Sequence, residues 1–392
     1  MAYRYDVNRG ATMFGAMLYV NAGKGHYVPA KAAYDALLRT GHTGCVEDMF
    51  AVLNSPFWQW FCRAEWRFLL RHPQLERVFH TTQDTRFSAF LLSNIPLILP
   101  VRKAFVSWYE TTKPDFILCT NFLGGVIITA IAKREKLKAP IFVYTADVFN
   151  NPSAGFNRNI DRIFVPSLIG QENLYRQGYR KEQVVFAPFP LQSSVQTMER
   201  LSKQEARKIL NLEDRFTLLL NFGGEGIGST ALVEELGKRG LAWQIVVVGA
   251  LREHMKKRIS ELAKRYPSLT IESPGFVSNI GVYMCACDVQ AGKAGANALM
   301  ESMALHRPFM ISELLHAARD TARFFARYQV GWVVRNHRKQ ADILQAFAES
   351  EPQRKAMEER LAKLPISFDS DQFITLLLEQ FQTCFLSDNS LL

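Results

Sequence analysis

The chain has 392 residues, 48% of them hydrophobic and 21% charged, with a formal net charge of +10. This composition excludes disordered, collagen-like and low-complexity classes, and the length predicts two domains rather than one core. The charge is uneven: residues 1–190 hold 22 Lys/Arg against 14 Asp/Glu, so +8 of the +10 lies there and points that half toward an anionic partner, membrane or nucleic acid.

Taken in chain order, Met1–Gly10 are polar and mixed and do not read as a secretory signal. No run reaches the roughly 20 apolar residues that span a bilayer, and Phe122–Ala132 reads as a buried helix. The six cysteines (45, 62, 119, 285, 287 and 384) show no CxxC pairing, which predicts free thiols in a cytosolic chain. Strand-like apolar runs fall at 14–21, 115–120, 140–145, 161–166 and 183–187, and again at 216–222, 243–249, 269–272, 308–312 and 330–334. Helical stretches at 29–40, 124–137, 168–178, 229–239, 252–266, 279–287, 296–306 and 319–328 separate most of them. This alternation predicts an α/β chain of two Rossmann-like domains with parallel sheets, 1–190 and 191–392, divided at the prolines 188 and 190. Ligands of such sheets bind at the carboxyl ends of the strands, so the chemistry is expected in the cleft between the halves. A final helical segment, 372–385, is expected to pack back across the domains.

Three segments carry chemistry. Asn21-Ala-Gly-Lys-Gly-His26 joins a strand to a helix opened by Pro29; Gly23, Lys24 and Gly25 form an acceptor or phosphate loop, and His26 has the position of a general base or, alternatively, of a helix cap. Asn221–Thr230 places glycines at 223, 224, 226 and 228 between a strand and a helix, a density suited to backbone contact with an oxyanion. Gly295, Ala296 and Asn297 open a third helix able to receive a diphosphate; Glu301 lies further along it, placed for ribose hydroxyls or for an arginine partner.

Together these residues resemble glycosyltransferase family 28, in its branch of monogalactosyldiacylglycerol synthases and diacylglycerol glucosyltransferases. Gly223-Gly-Glu-Gly-Ile-Gly228 is close to that branch's Gly-Gly-Glu-Gly-Met-Gly loop. Gly275-Phe-Val-Ser-Asn279, Met284-Cys-Ala-Cys-Asp288, Lys293-Ala-Gly295, Glu301-Ser-Met-Ala304 and Arg307-Pro308 follow its donor signature in order. The loop at 22–30 is also similar to that of the lipid II N-acetylglucosaminyl transferase. The resemblance implies a GT-B fold and an inverting reaction with no cofactor and no metal. It further implies donor contacts from Gly223, Gly224, Glu225, Gly226, Phe276, the Val277 backbone, Gly295, Ala296, Asn297 and Glu301, with His26 as base and Asp147 as second choice. The sequence departs from the family where Ala296-Asn297-Ala298 replaces Pro-Gly-Thr, and where Ala317–Ala322 replaces the polar loop that binds the donor sugar. At the latter, Arg319 and Asp320 are left as candidate sugar readers. Near Asp147 the family's His is Pro152. Asp369-Ser-Asp371 lies beyond the sheets and is not read as a metal site.

The segment 56–71 sets Trp58, Trp60 and Trp66 beside Arg63, Arg67 and Arg71, arginines at four-residue steps on one helical face. It reads as an interfacial membrane helix or as a core helix with a solvated basic face. The expected function is transfer from a UDP-sugar to a lipid acceptor, diacylglycerol first, by a peripheral protein at the cytoplasmic face of an anionic membrane, with no nucleic-acid partner. The alternatives are a catalytically idle nucleotide-binding or regulatory protein, suggested by the altered 316–322 loop, and transfer to a polyprenyl or glycan acceptor.

Overall fold

The computed structural model describes residues 12–69, 72–224, 226, 228–293, 295–313 and 319–389. The first six strands are β1 (Phe14–Tyr19), β2 (Thr43–Asp48), β3 (Phe116–Cys119), β4 (Ile141–Tyr144), β5 (Arg162–Val165) and β6 (Val184–Phe186). They form one parallel sheet in the order β2-β1-β3-β4-β5-β6. The next six are β7 (Thr217–Asn221), β8 (Gln244–Val248), β9 (Thr270–Gly275), β10 (Val289–Lys293), β11 (Phe309–Glu313) and β12 (Gly331–Val333). They form a second parallel sheet in the order β12-β11-β10-β7-β8-β9. The central strands are apolar without alternation because helices cover both faces; all four residues of β3 and of β4 are buried.

The topology creates two switch points. In the first sheet the chain leaves β1 for β2 on one side and returns as β3 on the other; in the second it runs outward from β7 through β9 and returns as β10 beside β7. A crevice opens at the carboxyl ends of the strands at each such reversal. The segments after β1 and β3, and those after β7 and β10, therefore occupy the two positions where ligands of such sheets bind.

All ten predicted strands are present. The two that sequence reading misses are β2, whose Thr-Gly-Cys-Val-Glu-Asp is mostly polar on a sheet edge, and β10, whose Gln290, Gly292 and Lys293 interrupt its apolar run. Helix Phe122–Glu135 is buried along most of its length, as predicted. The six cysteines are free thiols, three buried and three half-buried. Between β2 and β3 lies a helical insertion, Met49–Val52, Pro56–Leu69, Pro73–Gln83, Arg86–Ile98 and Val101–Thr112, of which the sequence announces only the second helix. Among the described residues no single helix is long and apolar enough to cross a membrane. The adjoining pair Arg86–Ile98 and Val101–Thr112, which together have the length and composition, is bent by 74°.

The C-terminal helix Ser370–Asn389 packs on the first sheet. Phe373 lies 5.5 Å from Phe164 and 5.6 Å from Tyr144 between ring centroids, Phe381 meets Phe116, and Arg39 donates to Asp371. Asp369 caps this helix, accepting from the backbone N–H groups of Asp371 and Gln372. Both acidic residues of the Asp-Ser-Asp triplet thus have structural partners.

Candidate functional site

His26 begins the helix Tyr27–Arg39, directly after the glycine loop that follows β1. It does not cap that helix with its side chain. The ring instead reaches the neighbouring strand end: Nδ1 lies 3.0 Å from the carbonyl oxygen of Thr120 and Nε2 lies 2.9 Å from Asn121 Nδ2. A carbonyl only accepts, so Nδ1 carries the proton and Nε2 presents its lone pair. The Asn121 amide has the complementary orientation, because its Oδ1 accepts from Leu123 N–H at 2.8 Å. Thr120 closes the arrangement by donating its hydroxyl to the His26 carbonyl at 2.7 Å. Burial lowers the His26 pKa below the ordinary histidine value; the Asp147 carboxylate and the Thr120 hydrogen bond act in the opposite direction. The result is a neutral imidazole of fixed tautomer, the form a general base needs. Asp147 itself is exposed in the turn after β4, so the two base candidates face one another electrostatically.

On the opposite side, the glycine-rich loop follows β7. Gly223 and Gly226 have φ of +62° and +63°, and a Cβ on Gly226 would stand 2.3 Å from the Ala250 carbonyl oxygen. Gly228 is packed against the Phe222 ring, whereas a Cβ on Gly224 would meet nothing within 4 Å. Three of the four glycines are therefore required by packing or turn geometry, and Gly224 is the one that leaves open space for a ligand. Glu225 lies outside the described residues.

Lys293, at the end of β10, was not singled out from the sequence as a site residue. Its Cε lies 3.6 Å from a Cβ built on Gly223 and 3.8 Å from one built on Gly295. A lysine thus sits at the second switch point, between the glycine loop and the helix Ala296–Ala304. No side chain caps that helix at Gly295, and its first turn holds no acidic residue. Cation and helix N-terminus together suit a phosphate-bearing ligand. The sequence shows this lysine as part of the Lys293-Ala-Gly295 motif, but not its place at a strand end, because β10 does not read as a strand.

Glu301 is buried on the same helix, and its partner is not an arginine: Gln192 Nε2 donates to its Oε1 at 2.6 Å. Burial raises its pKa to about 8, with the Gln192 bond pulling the other way. Phe276, just past β9, is exposed, and the Lys24 ammonium lies 4.6 Å from its ring centroid; Val277 is half-buried beside it. Asn297 Nδ2 donates to the Gly25 carbonyl at 3.2 Å. The loop at 23–26 and the helix start at 295–297 are therefore in direct contact, so the fold brings the two sets of predicted residues together. Arg319 begins the helix Arg319–Tyr328, with Asp320 next to it; residues 316–318 of the altered 316–322 loop lie outside the described residues.

The segment at 56–69 is helical, and Leu69 is its one buried residue among those described. Phe57, Trp58, Trp60, Phe61 and Phe68 are exposed and Trp66 is half-buried, so the core-helix alternative does not hold. Of the three arginines, Arg67 is exposed; Arg63, its side chain 41% exposed, donates from Nε to the Asn21 carbonyl at 3.1 Å and lies 4.0 Å from Asp48; Arg71 lies outside the described residues.

No family model matches the chain. Among known proteins it is similar to a probable monogalactosyldiacylglycerol synthase 2 of Oryza sativa subsp. indica, 24% identical over 314 residues, and to monogalactosyldiacylglycerol synthase 2 of Arabidopsis thaliana, 24% identical over 320. Both alignments cover 76% of this chain, which spans 66% of the length of either relative. In structure it is similar to Anabaena HepE bound to UDP (TM-score 0.59, 13% identity, 95% of this chain and 100% of that one). It is likewise similar to Acinetobacter baumannii MurG (0.58, 12%, 95% and 99%) and to the UDP-GlcNAc 2-epimerase of Neisseria meningitidis (0.61, 12%, 95% and 100%). The chain has the GT-B fold, and in sequence it resembles the monogalactosyldiacylglycerol synthases.

Proposed function

We propose that the chain is an inverting, metal-independent glycosyltransferase that moves a sugar from a UDP-sugar to a lipid hydroxyl, diacylglycerol first, as a peripheral protein on the cytoplasmic face of the cell membrane. The observation that carries this reading furthest is the Asn297–Gly25 hydrogen bond. It sets the loop of the base candidate against the helix start that suits a diphosphate, so a sugar held between them has a base on one side and a leaving-group site on the other. Single displacement with inversion follows from that opposition. The acceptor hydroxyl takes the place of the Asn121 amide at His26 Nε2, and its oxygen forms the bond to the anomeric carbon as its proton passes to that nitrogen. The bond from that carbon to the β-phosphate oxygen breaks, and its electron pair leaves on UDP.

Each group has a physical role in the step. Asp147 balances the imidazolium that forms. Lys293 and the amides of Ala296 and Asn297 stabilise charge on the departing diphosphate, work that a metal performs elsewhere; the Gly295 N–H donates to the Lys293 carbonyl at 2.7 Å. Glu301 holds the ribose and the residues at 276–277 flank the uracil.

The helical insertion supports the lipid acceptor. Pro56–Leu69 exposes an aromatic face, and in the same insertion Arg86–Ile98 exposes Phe87, Phe90 and Ile98, which are 67%, 61% and 84% exposed. Large apolar side chains exposed on both helices suit an interaction site, and tryptophans beside arginines suit a lipid headgroup region. The structural likeness to an epimerase leaves that surface without a use.

The test is transfer of label from UDP-galactose or UDP-glucose to diacylglycerol in anionic vesicles. Labelled glycosyldiacylglycerol is expected, and the Trp58→Ser, Trp60→Ser double variant is expected to bind the vesicles more weakly and transfer less. Release of free sugar with no lipid product would remove the lipid acceptor, and undiminished vesicle binding by the double variant would remove the helix from the membrane.

A further inference from the structure

We propose that Phe324, flanked by Arg323 and Arg327, is a positioning residue: from the donor half it clasps the turn that carries Asp147 in the acceptor half, so that the Asp147–His26 pair is assembled by both halves together. The proposal rests on the transferase reading above, in which His26 is the base.

The turn after β4 is held on its own side by the helix Leu168–Arg176. Ser167 Oγ donates to the Val148 carbonyl, Asn173 Nδ2 donates to the Phe149 carbonyl at 2.7 Å, and a Cβ on Gly170 would stand 2.5 Å from the Val148 oxygen. Val148 and Phe149 are buried while Asp147 between the strand and them is exposed. What covers Phe149 is the ring of Phe324, from the helix that follows β11, with ring centroids 4.5 Å apart and Phe324 itself buried. The helix Arg319–Tyr328 is also joined to Leu168–Arg176 itself. Glu172, on Leu168–Arg176, accepts from Arg323 at 3.2 Å and from Arg327 at 2.9 Å. The Asp147 turn is thus gripped between a helix of its own half and a helix of the other, at a site two residues from the carboxylate.

The gripping helix begins at Arg319-Asp320, the two residues read from the sequence as candidates for the donor sugar. A donor that orders this segment therefore acts on the same helix that holds the Asp147 turn. The charged group acting on His26 is Asp147; Thr120 and Asn121 contribute neutral contacts, and Lys24 on the same loop lies over the Phe276 ring. Loosening the clasp lets the carboxylate move away from the imidazole, and His26 then binds a proton less readily.

The experiment is Phe324→Ala, measured by transfer kinetics across pH and by histidine-ring NMR titration of His26, with Asp147→Asn as reference. Phe324→Ala is expected to lower kcat by on the order of 10- to 100-fold with UDP affinity retained. The acid limb of the rate profile and the His26 midpoint are both expected to move to lower pH, as in Asp147→Asn, and Phe324→Leu is expected to restore them. If Phe324→Ala proves unfolded, the exposed pair Arg323→Ala, Arg327→Ala carries the same test. A folded variant whose His26 midpoint stays at the wild-type value overturns the proposal and leaves the contact as packing. The NMR readout does not depend on turnover. A shifted midpoint in a chain that transfers no sugar keeps the clasp and rejects the transferase reading.

Discussion

Exchanging His26 for alanine is expected to lower sugar transfer by about 100- to 10,000-fold, the range for losing a positioned general base, while UDP affinity stays unchanged. The separation of effects follows from geometry. His26 contacts Thr120 and Asn121 at the first switch point, and the residues assigned to the nucleotide stand at the second. The pH profile has a defined sign. His26 must be neutral to accept a proton and burial lowers its pKa, so the rate rises with pH along a limb lying below the ordinary histidine range. His26→Asn keeps a polar group against Asn121 but supplies no base, and is expected to be as inactive as alanine. Full activity in either variant would pass the role to Asp147. Kinetics and UDP titration on the same preparations settle the outcome.

The second large effect concerns Glu301. Its carboxyl is buried against a single glutamine with its pKa raised to about 8, so at neutral pH the unliganded protein holds it protonated. Ribose hydroxyls donating to this carboxyl favour the charged form. UDP binding at pH 7 is therefore expected to release close to one proton, seen as a dependence of the binding heat on buffer ionisation enthalpy. Glu301→Gln is expected to abolish the release and weaken UDP by about 10- to 150-fold, the equivalent of hydrogen bonds to a charged acceptor. The same group acts on stability in the opposite direction. The unfolded chain loses this proton near 4.5 and the folded chain near 8, so between those values the folded state binds more protons and stability falls as pH rises. Glu301→Gln, which cannot ionise and keeps an acceptor for Gln192, is expected to flatten that part of the melting-temperature profile. Proton release unaltered by the substitution would place the ribose elsewhere.

What the sequence makes legible here is what local pattern can encode. Apolar runs placed ten of the twelve strands, and the glycine density after β7, the small-residue start of Ala296–Ala304 and the aromatic helix at 56–69 could all be read directly. The losses have a common cause: the decisive contacts are distant in the chain. His26 meets Thr120 and Asn121 about 95 residues away, and Gln192 meets Glu301 at a separation of 109. Neither the tautomer of one nor the raised pKa of the other is visible without the fold. The strand-end position of Lys293 is not legible because Gln290 and Gly292 break the hydrophobic run of β10, a strand that shows its character only once β7 and β11 flank it. For Arg63, helical spacing gave the neighbours along the helix, but its partners Asn21 and Asp48 come from distant segments and are visible only in the fold.

The central claim is that the residues gathered after β7, β9 and β10 form a uridine-nucleotide site. Calorimetric titration of the purified chain with UDP, UDP-galactose and UDP-glucose, with ADP as control, tests it most directly. The account predicts saturable binding of UDP and at least one UDP-sugar, no comparable binding of ADP, and strong weakening by Glu301→Ala. Equal binding of ADP and UDP, or no binding of either, would contradict it.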